Sequence, residues 1–219
     1  MCPWVASTVI SQFNKSGDDV YGCLMDCSKA FDMVDWVKLF QELMKKGVSA
    51  IYLRLLLFLY KNQQCDVQWN GKHSKTFLVT NGVRQGAITS PILFGIYMDR
   101  LFKELRKSKR GCSIGNFYYG VLIYADDILL LCPSRYGLQA MVNICQIFAN
   151  DNNLKFSTNV DPDKSKTKCL HFSKSKIEPA KIELDGRLLP WVKSAKHLGN
   201  ILERDNTFSV DIDLSLIHI

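Results

Sequence analysis

Hydrophobic positions recur along this chain with two distinct spacings. Apolar residues three and four apart predict helices over residues 4 to 14, about 36 to 46, 49 to 61, 89 to 107 and 135 to 151, with Gly47 breaking the second from the third. In the fourth, Leu93, Tyr97, Leu101 and Leu105 recur every four residues with Ile96 beside them, which predicts a helix about 28 Å long at 1.5 Å per residue. Short apolar runs predict strands at VYGCLMDC, on both sides of the aspartates in FYYGVLIYADDILLLC, and at KTKCLHF. Alternating runs about Asn70-Gly71 and Asp185-Gly186 predict two hairpins, because those dipeptides accept the positive φ of a tight turn. Strands and helices mix without a regular βαβ repeat, so the expected fold class is α+β with an antiparallel sheet flanked by helices.

The most apolar window, IYLRLLLFLY, is ten residues long and carries Arg54. It is too short to span a bilayer and is expected to be a buried helix; no membrane partner is expected. A hydrophobic content of 47% with 22% charged residues is that of a globular chain, and 28 Lys and Arg against 21 Asp and Glu give +7, an excess compatible with a phosphate-rich partner. The eight cysteines form no CxxC pair, and Cys23, Cys132 and Cys169 sit in apolar runs, so free buried thiols are expected rather than disulfides or zinc. The N-terminus MCPWVASTVI has no basic stretch ahead of an apolar one, so a secretory signal is not expected and the location is expected to be intracellular.

The aspartates in VLIYADDILLLC raise a chemical question, because a buried ionised carboxylate needs compensation. Successive side chains on a straight strand point to opposite faces, whereas at a tight turn both Asp126 and Asp127 can reach one edge. Asp26 ends a second apolar strand in YGCLMDC. Three carboxylates brought together would suit Mg²⁺, a hard cation that takes oxygen ligands. A third stretch, NGVRQGAITSPILFGIYMD, leads from a glycine-rich segment through Ser90-Pro91 into the long helix. Its glycines allow close backbone approach to a ligand, and Gln85 offers both a donor and an acceptor.

In order and spacing, LMDCSKAFD, GVRQGAITSPILF and YADD resemble the palm motifs of reverse transcriptases, those of non-LTR (LINE-type) retrotransposons in particular. DPDKSKTKCLHF and WVKSAKHLGNIL resemble the two motifs that follow in that group, so the likeness runs over about residues 4 to 213. The resemblance implies a polymerase palm with part of the fingers over residues 1 to 213, without a thumb. It implies a metal triad of Asp26, Asp126 and Asp127, with Asp26 and Asp126 the principal ligands of two Mg²⁺ ions, for which Mn²⁺ could substitute. Phe31 would gate against a ribose 2′-hydroxyl, and Gln85 and Gly86 would line the nucleotide and template side. Lys164 or Lys166 would lie near the phosphates, and His197, Leu198 and Gly199 would form the turn supporting the primer end. The implied partners are an RNA template, a DNA primer and dNTPs, in a ribonucleoprotein of cytoplasm and nucleus.

An RNA-dependent RNA polymerase fits less well, since its turn would read Gly-Asp-Asp. Group II intron maturases share YADD and QGxxxSP, but the HLGNIL ending favours the retrotransposon. The alternative from another class is a non-catalytic, decayed or host-derived nucleic-acid-binding module. Asp32 and Asp35 are expected to be structural or surface groups, Asp99 to lie on an exposed helix face, KELRKSKR to be a solvated helix end, and Cys27, Trp36 and Trp69 to serve packing. The ending LSLIHI is an in-frame translation of a transposase adapter, so residues 214 to 219 are expected to be non-native.

Overall fold

A computed structural model describes residues 2–159, 161, 164–173, 181–203 and 208–210; the tail at 214 to 219 lies outside them. The chain divides into two compact units, one of residues 1–28 and 101–219 and the other of residues 29–100.

The first unit opens with helix α1 (Cys2–Ser16) and strand β1 (Val20–Asp26). The chain then enters the second unit. There α2 (Trp36–Lys45) starts at Asp35, whose carboxylate accepts the backbone N–H groups of Val37 and Lys38 at 2.8 and 3.2 Å. Asp35 is therefore a structural cap, satisfying two donors that the first turn cannot satisfy itself. Leu39 and Leu43 face inward, and Gly47, at φ 79°, ends the segment. Helix α3 (Ala50–Lys61) follows. Two small ladders come next, β2 (Gln64–Cys65) with β5 (Phe77–Leu78) and β3 (Gln68–Trp69) with β4 (Lys72–His73). Asn70 and Gly71, at φ 48° and 76°, form the turn of the inner hairpin, as their sequence predicts.

Three expectations for this unit are corrected. Helix α3 is not a buried helix: Tyr60 is its buried residue, while Ile51, Tyr52, Leu55, Phe58 and Leu59 are exposed. Its apolar residues run around the whole helix, and one small unit can cover only one side. Trp69 does not pack; it is 81% exposed on a hairpin whose strands are two residues long. Asp99 is partly buried and pairs with Lys46 at 2.6 Å rather than standing on a free face. Trp36 does pack, its indole N–H donating to the Gly82 carbonyl at 2.7 Å and its ring meeting Tyr60 edge-on.

Helix α4 (Ser90–Ser108) begins in the second unit, and its residues from Leu101 belong to the first. A small hairpin of β6 (Ser113–Ile114) and β7 (Phe117–Tyr118) leads to β8 (Val121–Tyr124) and β9 (Asp127–Cys132). Helix α5 (Arg135–Asp151) is capped by the Ser134 hydroxyl, which accepts the Gly137 N–H at 3.1 Å. After it come β10 (Lys168–Phe172), the hairpin of β11 (Glu183–Leu184) and β12 (Arg187–Leu188), then β13 (Trp191–Val192), and a ladder of β14 (Ser194–His197), β15 (Asn200–Glu203) and β16 (Phe208–Val210).

The main sheet has the order β13-β10-β1-β9-β8, antiparallel except for the β10/β13 pair. Residues paired across antiparallel strands share a face, which assigns Leu24 and Leu129, Val20 and Phe172 to one side. There they form a core cluster with Ala6, Val9 and Ile10 of α1. On the other side lie Cys23, Met25, Leu130 and Cys132, all buried, against α5, whose Leu138, Met141, Val142 and Cys145 recur at helical spacing. The sheet is thus covered by helices on both faces, and its strand ends are left to build a site. Among the described residues no helix is long and apolar enough to cross a membrane.

Candidate active site

Strand β1 is the centre of the sheet, and its last residue, Asp26, is paired in register with Asp127, the first residue of β9. The alternation that buries Leu24 and Leu129 continues to these two, so both carboxylates lie on the α1 face at the sheet end. Asp126 occupies the turn before Asp127, in a two-residue loop closed by the Tyr124–Asp127 pair. Ala125, the first loop residue, has φ 52°. A side chain in the left-handed region costs roughly 1–2 kcal/mol, and the strong strands on either side hold it there.

The carboxylates influence one another. Burial raises the Asp127 carboxyl above its ordinary range, the charges of Asp126 and Asp26 raise it further, and Lys166 opposes the shift. Burial first, and then Asp126 and Asp26, push the Cys27 thiol up to about 12. Cys27 is thus a buried, inert neighbour, as the sequence suggests.

A second wall faces the aspartates. Residues 164 to 168 alternate Lys-Ser-Lys-Thr-Lys, with Ser165 and Thr167 buried and the lysines turned outward. The inward pair fixes the segment: Ser165 Oγ donates to the Thr167 carbonyl at 2.7 Å, and the Asp26 N–H donates to Thr167 Oγ1 at 3.4 Å. Ser157 bridges the two, donating its N–H to the Asp26 carbonyl at 2.8 Å and accepting the Thr167 N–H at 3.0 Å. Lys166 Nζ lies 3.6 Å from Asp26 Oδ2, whereas Lys164 Nζ pairs with Asp161 at 3.5 Å. The two lysines left open by the sequence are therefore in different positions. Asp26, Asp127, the three lysines, Lys196 and His197 line one cleft of about 280 Å³. Lys168 and Lys196 did not stand out in the sequence, although the alternation that carries Lys164 and Lys166 also carries Lys168.

His197 ends β14, with Leu198 at φ 49° and Gly199 at φ 76° forming the turn to Asn200. Burial lowers the imidazole to about 4, so it is neutral at ordinary pH, and its Nε2 is buried with no hydrogen-bond partner among the described residues.

Phe31, Gln85 and Gly86 belong to the second unit. Phe31 is half-buried, its ring stacked on Phe94 at 4.7 Å, and its carbonyl accepts the Val83 N–H at 2.8 Å. Gly82 is required where it stands: at φ 86°, a Cβ there would lie 2.8 Å from the Asp32 carbonyl oxygen. The Gln85 amide nitrogen lies 3.4 Å from Asp32 Oδ1, and both Gln85 and Gly86 are exposed.

Among the described residues, no three His, Cys, Asp or Glu side chains are gathered into a ready metal cage. The donors present nevertheless fit magnesium. That ion keeps several waters and is commonly held by one or two carboxylates together with substrate phosphates. Asp26 and Asp127, facing each other in register with Asp126 beside them, supply such oxygen donors.

A family model described as reverse transcriptase (RNA-dependent DNA polymerase) matches residues 5–202. Among sequence relatives, the Pol polyprotein of the type-2 retrotransposable element R2DM of Drosophila melanogaster is 30% identical over 139 residues, 64% of this chain and 13% of that protein. The RNA-directed DNA polymerase from the mobile element jockey of Drosophila funebris is 24% identical over 85% of this chain and 20% of that protein. The chain therefore spans a fifth or less of those relatives. Among solved structures, telomerase of Candida albicans in complex with a fragment of telomeric RNA matches 95% of this chain and 33% of its own, with a TM-score of 0.63 at 12% identity, a likeness of fold. With five motifs in order, a palm-like sheet carrying aspartates at its strand ends, and a family match over nearly its whole length, the chain belongs to the reverse transcriptase (RNA-dependent DNA polymerase) family.

Proposed function

We propose that this chain carries the nucleotidyl-transfer centre of an RNA-directed DNA polymerase of a non-LTR retrotransposon. The observation that carries the reading is the register pair Asp26–Asp127 at the ends of two central strands, with Asp126 in the adjoining turn. The reaction joins a primer 3′-oxygen to the α-phosphorus of a dNTP and releases pyrophosphate, copying an RNA template. Magnesium, held by Asp26, Asp126 and Asp127, would supply the Lewis acidity that favours the 3′-alkoxide and neutralises the leaving pyrophosphate; manganese has the same oxygen-ligand chemistry.

The chain's own groups do the rest. The lysines of the opposite wall draw the triphosphate into the cleft, the His197–Leu198–Gly199 turn supports the primer end, and Gln85 and Gly86 meet the nucleotide and template. Phe31 presents an aromatic edge to the sugar, where a 2′-hydroxyl collides and a 2′-hydrogen does not. In a longer protein containing these 219 residues, Asp26→Asn and Asp126→Asn should abolish oligo(dT) extension on poly(rA) while leaving template binding nearly intact. Each change removes a metal ligand and leaves the phosphate-binding groups in place. Extension at the wild-type rate by either variant would end this reading, and template binding without extension by the unsubstituted protein would favour a non-catalytic module.

A further inference from the structure

We propose that the Lys166 ammonium is the resident counter-ion of the aspartate cluster, so that a divalent cation enters by exchange with a lysine already in place. This rests on the polymerase reading of the same cleft. Carboxylates facing each other across antiparallel strands repel, and at this strand end a third stands next to the pair. A positive charge beside the cluster relieves that repulsion while no divalent ion is bound. Lys166 Nζ lies 3.6 Å from Asp26 Oδ2, and its charge also acts on Asp127.

The position of Lys166 is built. Ser165 and Thr167 on either side are buried and tied into the backbone network around Asp26, so the side chain between them projects on the carboxylate side. Lys164, one alternation earlier, has the same chemistry but pairs with Asp161. The placement also permits exchange: the Lys166 side chain is 69% exposed, and an ammonium on a flexible stem is a point charge without the fixed fork that would lock an arginine. A divalent ion carries twice the charge and takes the oxygens directly, so it displaces the lysine, whose ammonium is then available to an anion in the cleft.

The test uses the whole chain stripped with EDTA and titrated with Mn²⁺, free ion being read by electron paramagnetic resonance. Lys166→Gln should bind Mn²⁺ roughly three- to tenfold more tightly than wild type, and Lys164→Gln should differ by less than about twofold. Without metal, Lys166→Gln should unfold at a lower urea concentration than wild type, and saturating Mn²⁺ should close the gap. If Asp26→Asn and Asp127→Asn leave Mn²⁺ binding unchanged, the polymerase reading fails. If they weaken it while Lys166→Gln binds no more tightly than Lys164→Gln, the exchange alone is overturned. Should Lys166→Gln not fold, acylation of wild-type lysines by an N-hydroxysuccinimide ester decides: Lys166 should become more reactive relative to Lys164 when Mn²⁺ is added, and an unchanged ratio overturns the proposal.

Discussion

His197 illustrates how much one side chain can carry. Its imidazole is buried, with burial lowering it from 6.5 to about 4. Between those values the unfolded chain takes a proton that the folded protein refuses, so the unfolded state binds more protons and stability falls as pH drops. The full contribution is present above pH 6.5 and is lost through the window down to about 4, at no more than roughly 1.4 kcal/mol per pH unit. Urea midpoints should fall more between pH 7 and 5 for wild type than for His197→Gln, and equal falls would remove the assignment. The role proposed for Phe31 concerns selectivity instead. In the longer protein, Phe31→Val should raise the use of ribonucleotides relative to deoxyribonucleotides on the same primer by about tenfold or more, the range of one steric contact. Because the ring also stacks on Phe94, the competing outcome is a loss of stability that lowers both activities together with an unchanged ratio.

At the scale of elements, the clearest test is how α5 meets the sheet. A helical glycine changed to alanine ordinarily gains about 1 kcal/mol. Gly137 should behave oppositely, since a Cβ there would collide with Cys132 Sγ and come within 2.9 Å of Ser134 Oγ and 3.3 Å of the Arg110 carbonyl. The thiol and the capping hydroxyl are both held, Cys132 Sγ donating to that same carbonyl at 2.7 Å. Gly137→Ala should therefore lose roughly 1–3 kcal/mol in urea unfolding, and a gain would mean that the packing gives way. The same scale separates what the sequence announces from what it hides. Helices α2 and α5 were legible because each has one apolar face, and the Asn70-Gly71 and Asp185-Gly186 turns because their backbone demands particular residues. The exposure of α3 was not, because burial depends on a partner and its apolar residues mark no single face. Nor was the parallel β10/β13 pairing, which joins two short strands 22 residues apart in their first paired residues, Cys169 and Trp191. Asp26 and Asp127 could be read from strand ends and Asp126 from the turn beside them, but alternation turns Lys164, Lys166 and Lys168 alike, and which of them meets Asp26 depends on the long-range contact of Thr167 with the Asp26 backbone.

For the molecule as a whole, the question is whether a net charge of +7 is enough to hold nucleic acid. Spread over 219 residues the excess is modest, and the cleft itself sets carboxylates against lysines. Binding should therefore depend on the lysine wall rather than on general attraction, and it should weaken steeply with salt because each neutralised phosphate releases a condensed counterion. For this chain alone, fluorescence anisotropy with a labelled RNA–DNA primer-template should give a linear fall of log affinity with log salt. Lys164 and Lys168 lie on the same outward edge of the 164–168 segment, and neither is the ion partner of Asp26. Changing both to Gln should flatten that slope by roughly one for each phosphate no longer neutralised, and should weaken binding to every sequence equally, because a phosphate carries no base information. A control pair, Lys72→Gln with Lys75→Gln, removes the same net charge from an exposed hairpin region of the second unit. If both pairs flatten the slope alike, net charge alone governs binding and the lysine wall has no special part in it. A flatter slope confined to the first pair would mark the cleft as the place where the phosphate backbone lies.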